Sequence, residues 1–141
     1  MTAAAFDARE LASRPSATSR RARTASWIVT ALVLLFLAFD ITIKLMMSPQ
    51  AIQGTQDLGY PAGIVRPLAY LQLILLVLYM VPRTAPLGAL LWTGYLGGAV
   101  ATHVRLENPL FSHILFPTYV AAFLWLGLWL RDERVRRLTT R

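Results

Sequence analysis

Four long apolar blocks divide the sequence, and shorter polar segments separate them. The blocks cover residues 26–47, 67–81, 87–104 and 111–130. An α-helix rises about 1.5 Å per residue, so roughly 20 apolar residues cross the ~30 Å hydrocarbon layer of a membrane. The pattern therefore predicts an all-α membrane protein, a four-transmembrane-helix up-down bundle.

The polar segments predict how the blocks are joined. Residues 48–66 are rich in Gly, Pro and Gln and predict one longer loop. Pro82 and Pro86 close the second block and predict a tight turn before the third. A further polar break at 105–110 precedes the fourth block.

The distribution of arginine predicts the orientation. Five arginines precede the first block and five lie from residue 131 to the end, which by the positive-inside rule places both termini in the cytoplasm. We therefore expect a multi-pass protein of the cell membrane. The predicted regions are a disordered basic cytoplasmic tail (1–25), a four-helix transmembrane domain (26–131) and a basic cytoplasmic tail (132–141).

Composition narrows the function classes. The chain is 56% hydrophobic and 15% charged, whereas a soluble domain is typically about one quarter charged. Its net charge of +7 could suit nucleic acid, but the arginines lie in the tails without interleaved aromatic residues, so we expect membrane lipids rather than nucleic acid as partners. The chain has no cysteine, which excludes disulfides, thiolate metal sites and dithiol exchange within it.

Ionisable residues inside the first block point to a polar site. Asp40 and Lys44 are four residues apart and share one helix face. A charge in lipid costs several kcal/mol, so the pair needs an explanation. Two interpretations stay open: Lys44 reaches the outer surface and neutralises Asp40, or both line a pocket open to the outer side.

Polar groups occur in the predicted outer half of every block, whereas the inner half is nearly all apolar. This asymmetry predicts a polar cavity near the outer membrane face. The two histidines could bind a metal or haem, but polar anchoring at the interface explains them as well, and we assign no metal and no catalytic residue. The ligand-binding pocket is predicted from Asp40, Lys44, Gln72, Thr102, His103 and His113.

A small-residue stripe marks the third block. Gly94 and Gly98 form a G-x-x-x-G pair, with Gly97 beside them. Such residues let helix backbones approach closely. We predict that the three glycines pack against neighbouring helices of the bundle, with a homodimer seam as the alternative.

The sequence also resembles a known family. The runs YMVPRTA at 79–85, TGYLGGAVATHVR at 93–105 and PLFSH at 109–113, followed by Phe116-Pro117, are similar to the DoxX-like family, and the resemblance covers about residues 26–131. Lys44 and His103 match the family pattern. Gln72 stands near the point where family members commonly carry an acid.

The resemblance implies a small four-helix bacterial membrane protein. Some relatives resemble a subunit of a membrane thiosulfate–quinone oxidoreductase, and others are linked to oxidative-stress complexes or assembly. The family thus implies a noncatalytic accessory or assembly subunit of a membrane complex, with other membrane or periplasmic-side proteins, or further copies of the chain, as partners. The alternative is a quinone-binding subunit of a membrane oxidoreductase that uses the outer-half pocket. A small transporter or lipid-binding protein is a third interpretation.

Overall fold

The computed structural model describes residues 17–139, and the side chains of residues 24–137. All regular structure in this part of the chain is helical, which confirms the predicted all-α class. The helices are α1 (Ala17–Leu45), α2 (Pro49–Asp57), α3 (Val65–Met80), α4 (Ala85–Arg105), α5 (Phe116–Arg131) and α6 (Glu133–Thr139). A 3₁₀ turn (Ala62–Ile64) precedes α3, and a π-helical turn (Leu110–Ile114) precedes α5.

The four long helices pack in a ring in the order α1, α3, α4, α5 and back to α1. Ser26 in the first half of α1 donates a hydrogen bond to the carbonyl of Gly127 near the end of α5, while Asp40 near the end of α1 meets Gln72 in α3. Neighbouring helices therefore run antiparallel, as in an up-down arrangement. Large side chains fill the centre of the ring, among them Leu37, Tyr79, Trp92 and Leu124.

Three stretches of the described chain are long and apolar enough to cross a membrane: Thr24–Leu45, Ala62–Met80 and Leu110–Arg131. Helix α4 is not among them, although its 21 residues equal about 31 Å of helix. Glycine, threonine and histidine lower its hydropathy. Length and composition thus support three spans directly.

The predicted loop at 48–66 contains a helix that the pattern did not indicate. Ser48 caps the start of α2, because its side chain accepts a hydrogen bond from the N–H of Ala51 at 3.2 Å. Pro49 occupies the first turn, where its missing N–H costs nothing. Thr55 and Ala51 are buried, so α2 lies against the bundle and covers its end.

Both predicted tails are partly helical. Helix α1 begins at Ala17, so residues 17–25 of the predicted disordered tail are helical and continue into the first apolar block, and residues 1–16 of that tail lie outside the described residues. At the other end, Asp132 caps α6 by accepting from the N–H of Arg134 at 2.9 Å. Residues 133–139 are therefore helical, and positions 140–141 lie outside the described residues.

The predicted packing glycines lie on the wrong face of α4 for packing within the chain. Gly94, Gly97 and Gly98 are exposed, and a Cβ at any of them would meet nothing within 4 Å. The buried face carries Trp92 and Leu96. Gly94 is two residues from Trp92, and two residues are about 200° apart around a helix. The prediction of packing inside the bundle is therefore wrong for the described chain.

Close helix approach occurs instead at two other glycines. A Cβ on Gly88 would collide with the backbone of Leu78 and Tyr79, where the tight turn brings α4 back onto α3. A Cβ on Gly127 would lie 2.6 Å from the Thr30 hydroxyl oxygen, where α5 crosses α1. These positions need glycine because no side chain fits the space.

Candidate functional site

A closed hydrogen-bond triangle joins α1 to α3. The Lys44 ammonium donates to Asp40 Oδ2 at 2.5 Å and to Gln72 Oε1 at 3.2 Å. The Gln72 amide nitrogen donates to the same Asp40 oxygen at 2.8 Å. Three residues of the predicted pocket therefore meet in space, and Gln72 ties the ion pair to the neighbouring helix.

The triangle lies largely out of solvent. The Gln72 residue is 2% exposed, and the Lys44 and Asp40 side chains are 16% and 27% exposed. Opposite charges and hydrogen bonds satisfy the three groups together, which offsets the desolvation of the ions. The two charges therefore pair with one another on the side of α1 that faces α3, where Gln72 contacts them.

A cavity of about 320 Å³ opens beside Lys44. Its polar groups come from Lys44 on α1, Thr55 on α2, Tyr60 in the connecting loop, and Tyr95 and Thr102 on α4. Its apolar lining is formed by Leu58, Leu68, Gly94, Gly98 and Ala99. Helix α2 and the loop after it thus form one wall of a site that the long helices alone would leave open.

The hydroxyls in the cavity have a defined hydrogen-bond order. The Thr102 hydroxyl donates to the carbonyl of Gly98 at 2.9 Å. Since a hydroxyl has one proton, the Tyr60 hydroxyl, 3.0 Å from Thr102 Oγ1, must then donate to it. The Tyr60 oxygen keeps its lone pairs free to accept. Lys44 uses two of its three N–H groups on described side chains and keeps one for the cavity.

The glycines of α4 shape this cavity rather than the helix packing. Gly94 and Gly98 line it, and Gly97 does not. All three are exposed. The cavity is therefore bounded by bare backbone at Gly94 and Gly98, on a face of α4 that no other part of the described chain covers closely.

The two histidines lie together but apart from the triangle. Their ring centroids are 5.7 Å apart in an edge-to-face arrangement. His103 Nδ1 bonds to the Asn108 amide at 2.9 Å, and His113 Nδ1 bonds to the Ser112 hydroxyl at 2.8 Å. His103 forms no hydrogen bond to Asp40, Lys44 or Gln72 within the described chain, and it is turned about 100° around α4 from Thr102.

No group of three or more His, Asp or Glu residues that could hold a metal ion occurs in the part of the chain that the structure describes. Tyr60, Tyr95 and Thr55 line the cavity, yet sequence reasoning did not find them. Tyr60 and Thr55 lie in a segment predicted as loop, and Tyr95 lay within the glycine stripe. None of them carries a charge that would have marked it.

A sequence model described as the DoxX-like family matches residues 28–127. The chain belongs to the DoxX-like family. Neither a curated protein nor a solved structure shows significant similarity to it. The matched range includes the whole triangle and every residue that lines the cavity of this DoxX-like protein. Family membership and three apolar helices together indicate a multi-pass integral membrane protein.

Proposed function

We propose that this DoxX-like protein binds the headgroup of a lipid-soluble quinone in the cavity beside Lys44, as a noncatalytic subunit of a membrane oxidoreductase. The observation that carries the proposal is the position of Lys44 on the wall of the cavity. Its charge is paired with Asp40, and one of its three N–H groups has no partner among the described side chains. The quinone would carry the electrons, and a partner protein would exchange them.

The proposed topology has four spans, with α4 as the fourth and both termini in the cytoplasm. Four crossings return the arginine-rich C-terminal segment to the side of the N-terminal one, which agrees with the positive-inside rule. The cavity then lies in the outer half of the bundle. Cysteines at positions 15 and 139 should resist a membrane-impermeant thiol reagent in intact cells, and labelling of either would contradict this orientation.

The chemistry of the cavity suits a planar ring with carbonyl groups. One Lys44 N–H is free to donate to a carbonyl oxygen, and the Tyr60 oxygen is free to accept from the hydroxyl of a reduced ring. Leu58, Leu68 and the Tyr95 ring offer apolar contact. A volume of about 320 Å³ lies at the lower end of the range, about 300 to 1,000 Å³, typical of small-ligand sites.

The bare backbone at Gly94 and Gly98 offers a route from the lipid. A quinone dissolved in the membrane must reach the cavity sideways, past the face of α4. Any side chain at Gly98 would project into that path, since nothing else lies within 4 Å of a Cβ there. Gly97 has the same free space but does not line the cavity, so it provides a matched control.

A binding titration tests the proposal. A short-chain ubiquinone analogue is added to the purified protein in detergent, and its binding is measured by the change in tryptophan fluorescence. Gly98→Leu should weaken binding about tenfold or more, whereas Gly97→Leu should leave Kd unchanged. The double variant Asp40→Ala with Lys44→Met keeps the site neutral but removes its donor, and a charged hydrogen bond of about 1.5–3 kcal/mol predicts a loss of roughly ten- to hundredfold. Equal affinities for the two glycine variants, or no binding by the unaltered protein, would refute the quinone site.

A second candidate, an accessory or assembly subunit without a ligand, is favoured by a different surface. An apolar groove of about 390 Å³ runs between α1 and α5, lined by Phe36, Phe116 and Phe123 among others. Such a groove suits a helix of a partner membrane protein or of a second copy. Stable co-purification of a membrane partner, lost in a Phe36→Ala variant while quinone binding is absent, would favour this function.

A further inference from the structure

A separate cavity of about 460 Å³ lies at the opposite end of the helices from Lys44. Its apolar wall includes Trp27 and Leu34 of α1, Met80 of α3 and Leu128 of α5. Its rim carries the charged sequence from Arg131 to Arg134. Since the candidate span Leu110–Arg131 ends at this rim, the cavity lies where the hydrocarbon of a membrane meets its headgroups.

Arg131 differs from the other charged residues of this rim. Arg134 pairs with Asp132 at 3.0 Å, and Glu133 pairs with Arg137 at 3.6 Å. Arg131 forms no ion pair with any residue in the described part of the chain. Both carboxylates of the rim therefore already have a cationic partner, whereas Arg131 has no anionic partner among the described residues.

The position of the Arg131 guanidinium is nevertheless well defined. One Nη donates to the carbonyl of Tyr79 at 3.1 Å, and the guanidinium carbon lies 4.7 Å from the centre of the Tyr79 ring. Arg131 itself is half-buried. A guanidinium has five N–H groups in a planar fork that suits phosphate oxygens, and most of them remain for a ligand.

We propose that this cavity binds one anionic phospholipid, with its phosphate on Arg131 and an acyl chain along Trp27, Leu34, Met80 and Leu128. The Arg131 charge suits an anionic group, and the apolar wall suits a hydrocarbon chain. Both features lie at the end of a candidate span, where a phospholipid has its phosphate next to its acyl chains. An ammonium headgroup would find no unpaired carboxylate among the described residues of the rim. The site therefore favours a headgroup without a cation, such as phosphatidylglycerol. Arg131 lies beyond the residues matched to the DoxX-like family, and the proposal is independent of the quinone site.

Native mass spectrometry of the detergent-purified protein, titrated with phosphatidylglycerol, phosphatidylcholine or inorganic phosphate, tests the site. Phosphatidylglycerol should bind at least tenfold more tightly than phosphatidylcholine, and inorganic phosphate should not compete at equal concentration. Arg131→Gln should weaken the phosphatidylglycerol complex about tenfold or more. Arg83→Gln is the control, because Arg83 is exposed in the α3–α4 turn, carries the same charge and does not line the cavity.

A second variant covers the case in which Arg131→Gln fails to fold after losing its contacts to Tyr79. Met80 is 56% exposed and lines the wall, so Met80→Trp should fill the space of the acyl chain and weaken lipid binding with Arg131 intact. Equal lipid affinities for the Arg131 and Arg83 variants, or unchanged binding by Met80→Trp, would overturn the proposal. Equal binding of the two lipids would overturn its headgroup selectivity, and displacement by phosphate would overturn the role of the acyl chain.

Discussion

Adding one methyl group at Gly127 should destabilise the protein, and shortening the Thr30 side chain opposite it to alanine should recover part of the loss. In the structure a Cβ at this position would lie 2.6 Å from Thr30 Oγ1, well inside van der Waals contact. Thr30 is 1% exposed and branched at Cβ, so few rotamers are open to it in a helix. Gly127→Ala should therefore strain the contact between α1 and α5, because either the Thr30 side chain or the two helices must shift.

The expected loss of stability can be estimated from the contacts that each substitution creates or removes. Overpacking of a tight core typically costs about 1–3 kcal/mol. Replacing Thr30 with alanine leaves the nearest atoms at 3.5 Å (the Tyr79 hydroxyl) and 3.6 Å (the Thr30 Cα), which are ordinary contacts. The Thr30 hydroxyl has no hydrogen-bond partner among the described residues, so Thr30→Ala alone should cost only about 1 kcal/mol.

Reversible unfolding in mixed detergent micelles, followed by tryptophan fluorescence, can measure all four proteins of this cycle. The double variant Gly127→Ala with Thr30→Ala should be more stable than the single variant Gly127→Ala, with a coupling free energy of about 1–2 kcal/mol between the two positions. Gly97→Ala serves as the control, because its added Cβ meets nothing within 4 Å, and it should change stability by less than about 0.5 kcal/mol. Additive effects of the two changes, or equal losses for Gly127→Ala and Gly97→Ala, would refute the close approach of α1 and α5.

Three further predictions use other contacts. Asp40→Ala should cost more stability in the same assay than Asp40→Ala with Lys44→Met, because the single change leaves an unpaired ammonium, and simple additivity would contradict the coupling. The hydrogen bond from the Arg134 side chain holds the pKa of the Asp132 carboxyl below its ordinary value, so the stability from this contact is present above the ordinary carboxyl pKa and is lost as pH falls through the lowered one. Arg134→Ala should raise that pKa in a ¹³C NMR titration, and an unchanged titration would contradict the assignment. Tyr79→Phe should cost about 1 kcal/mol in unfolding, because its hydroxyl donates to a buried carbonyl of α5 at 2.8 Å, and an unaltered stability would count against this bond.

The helical class and the meeting of Asp40 with Lys44 could be predicted because both depend on neighbours in sequence. Apolar blocks of about 20 residues have few stable structures besides the helix in a membrane, since every backbone group must be satisfied internally. A spacing of four residues places two side chains on one helix face in any helix. Gln72 was predicted in the same pocket because it is polar and lies in the outer half of its block. In the structure its amide nitrogen lies 2.8 Å from Asp40 Oδ2.

The cavity itself could not be predicted in full. Tyr60 and Thr55 reach it because α2 and the following turn fold over the end of the bundle, and a segment of Gly, Pro and Gln predicts a loop equally well. His103 was expected in the same site as its neighbour Thr102, but one residue along a helix turns the side chain by about 100°. Thr102 therefore lines the cavity, and His103 does not.

The sequence by itself determined the helical class, the four long helices and the Asp40–Lys44 pair, because hydropathy and helical spacing are local properties of the chain. The tertiary structure decided which face of each helix turns inward. Trp92 and Leu96 bury more apolar surface than Gly94 and Gly98 on the other side of α4, so the bulky face enters the core and the glycines border the cavity. That rotation depends on the packing of all the helices at once, and no single stretch of sequence contains it.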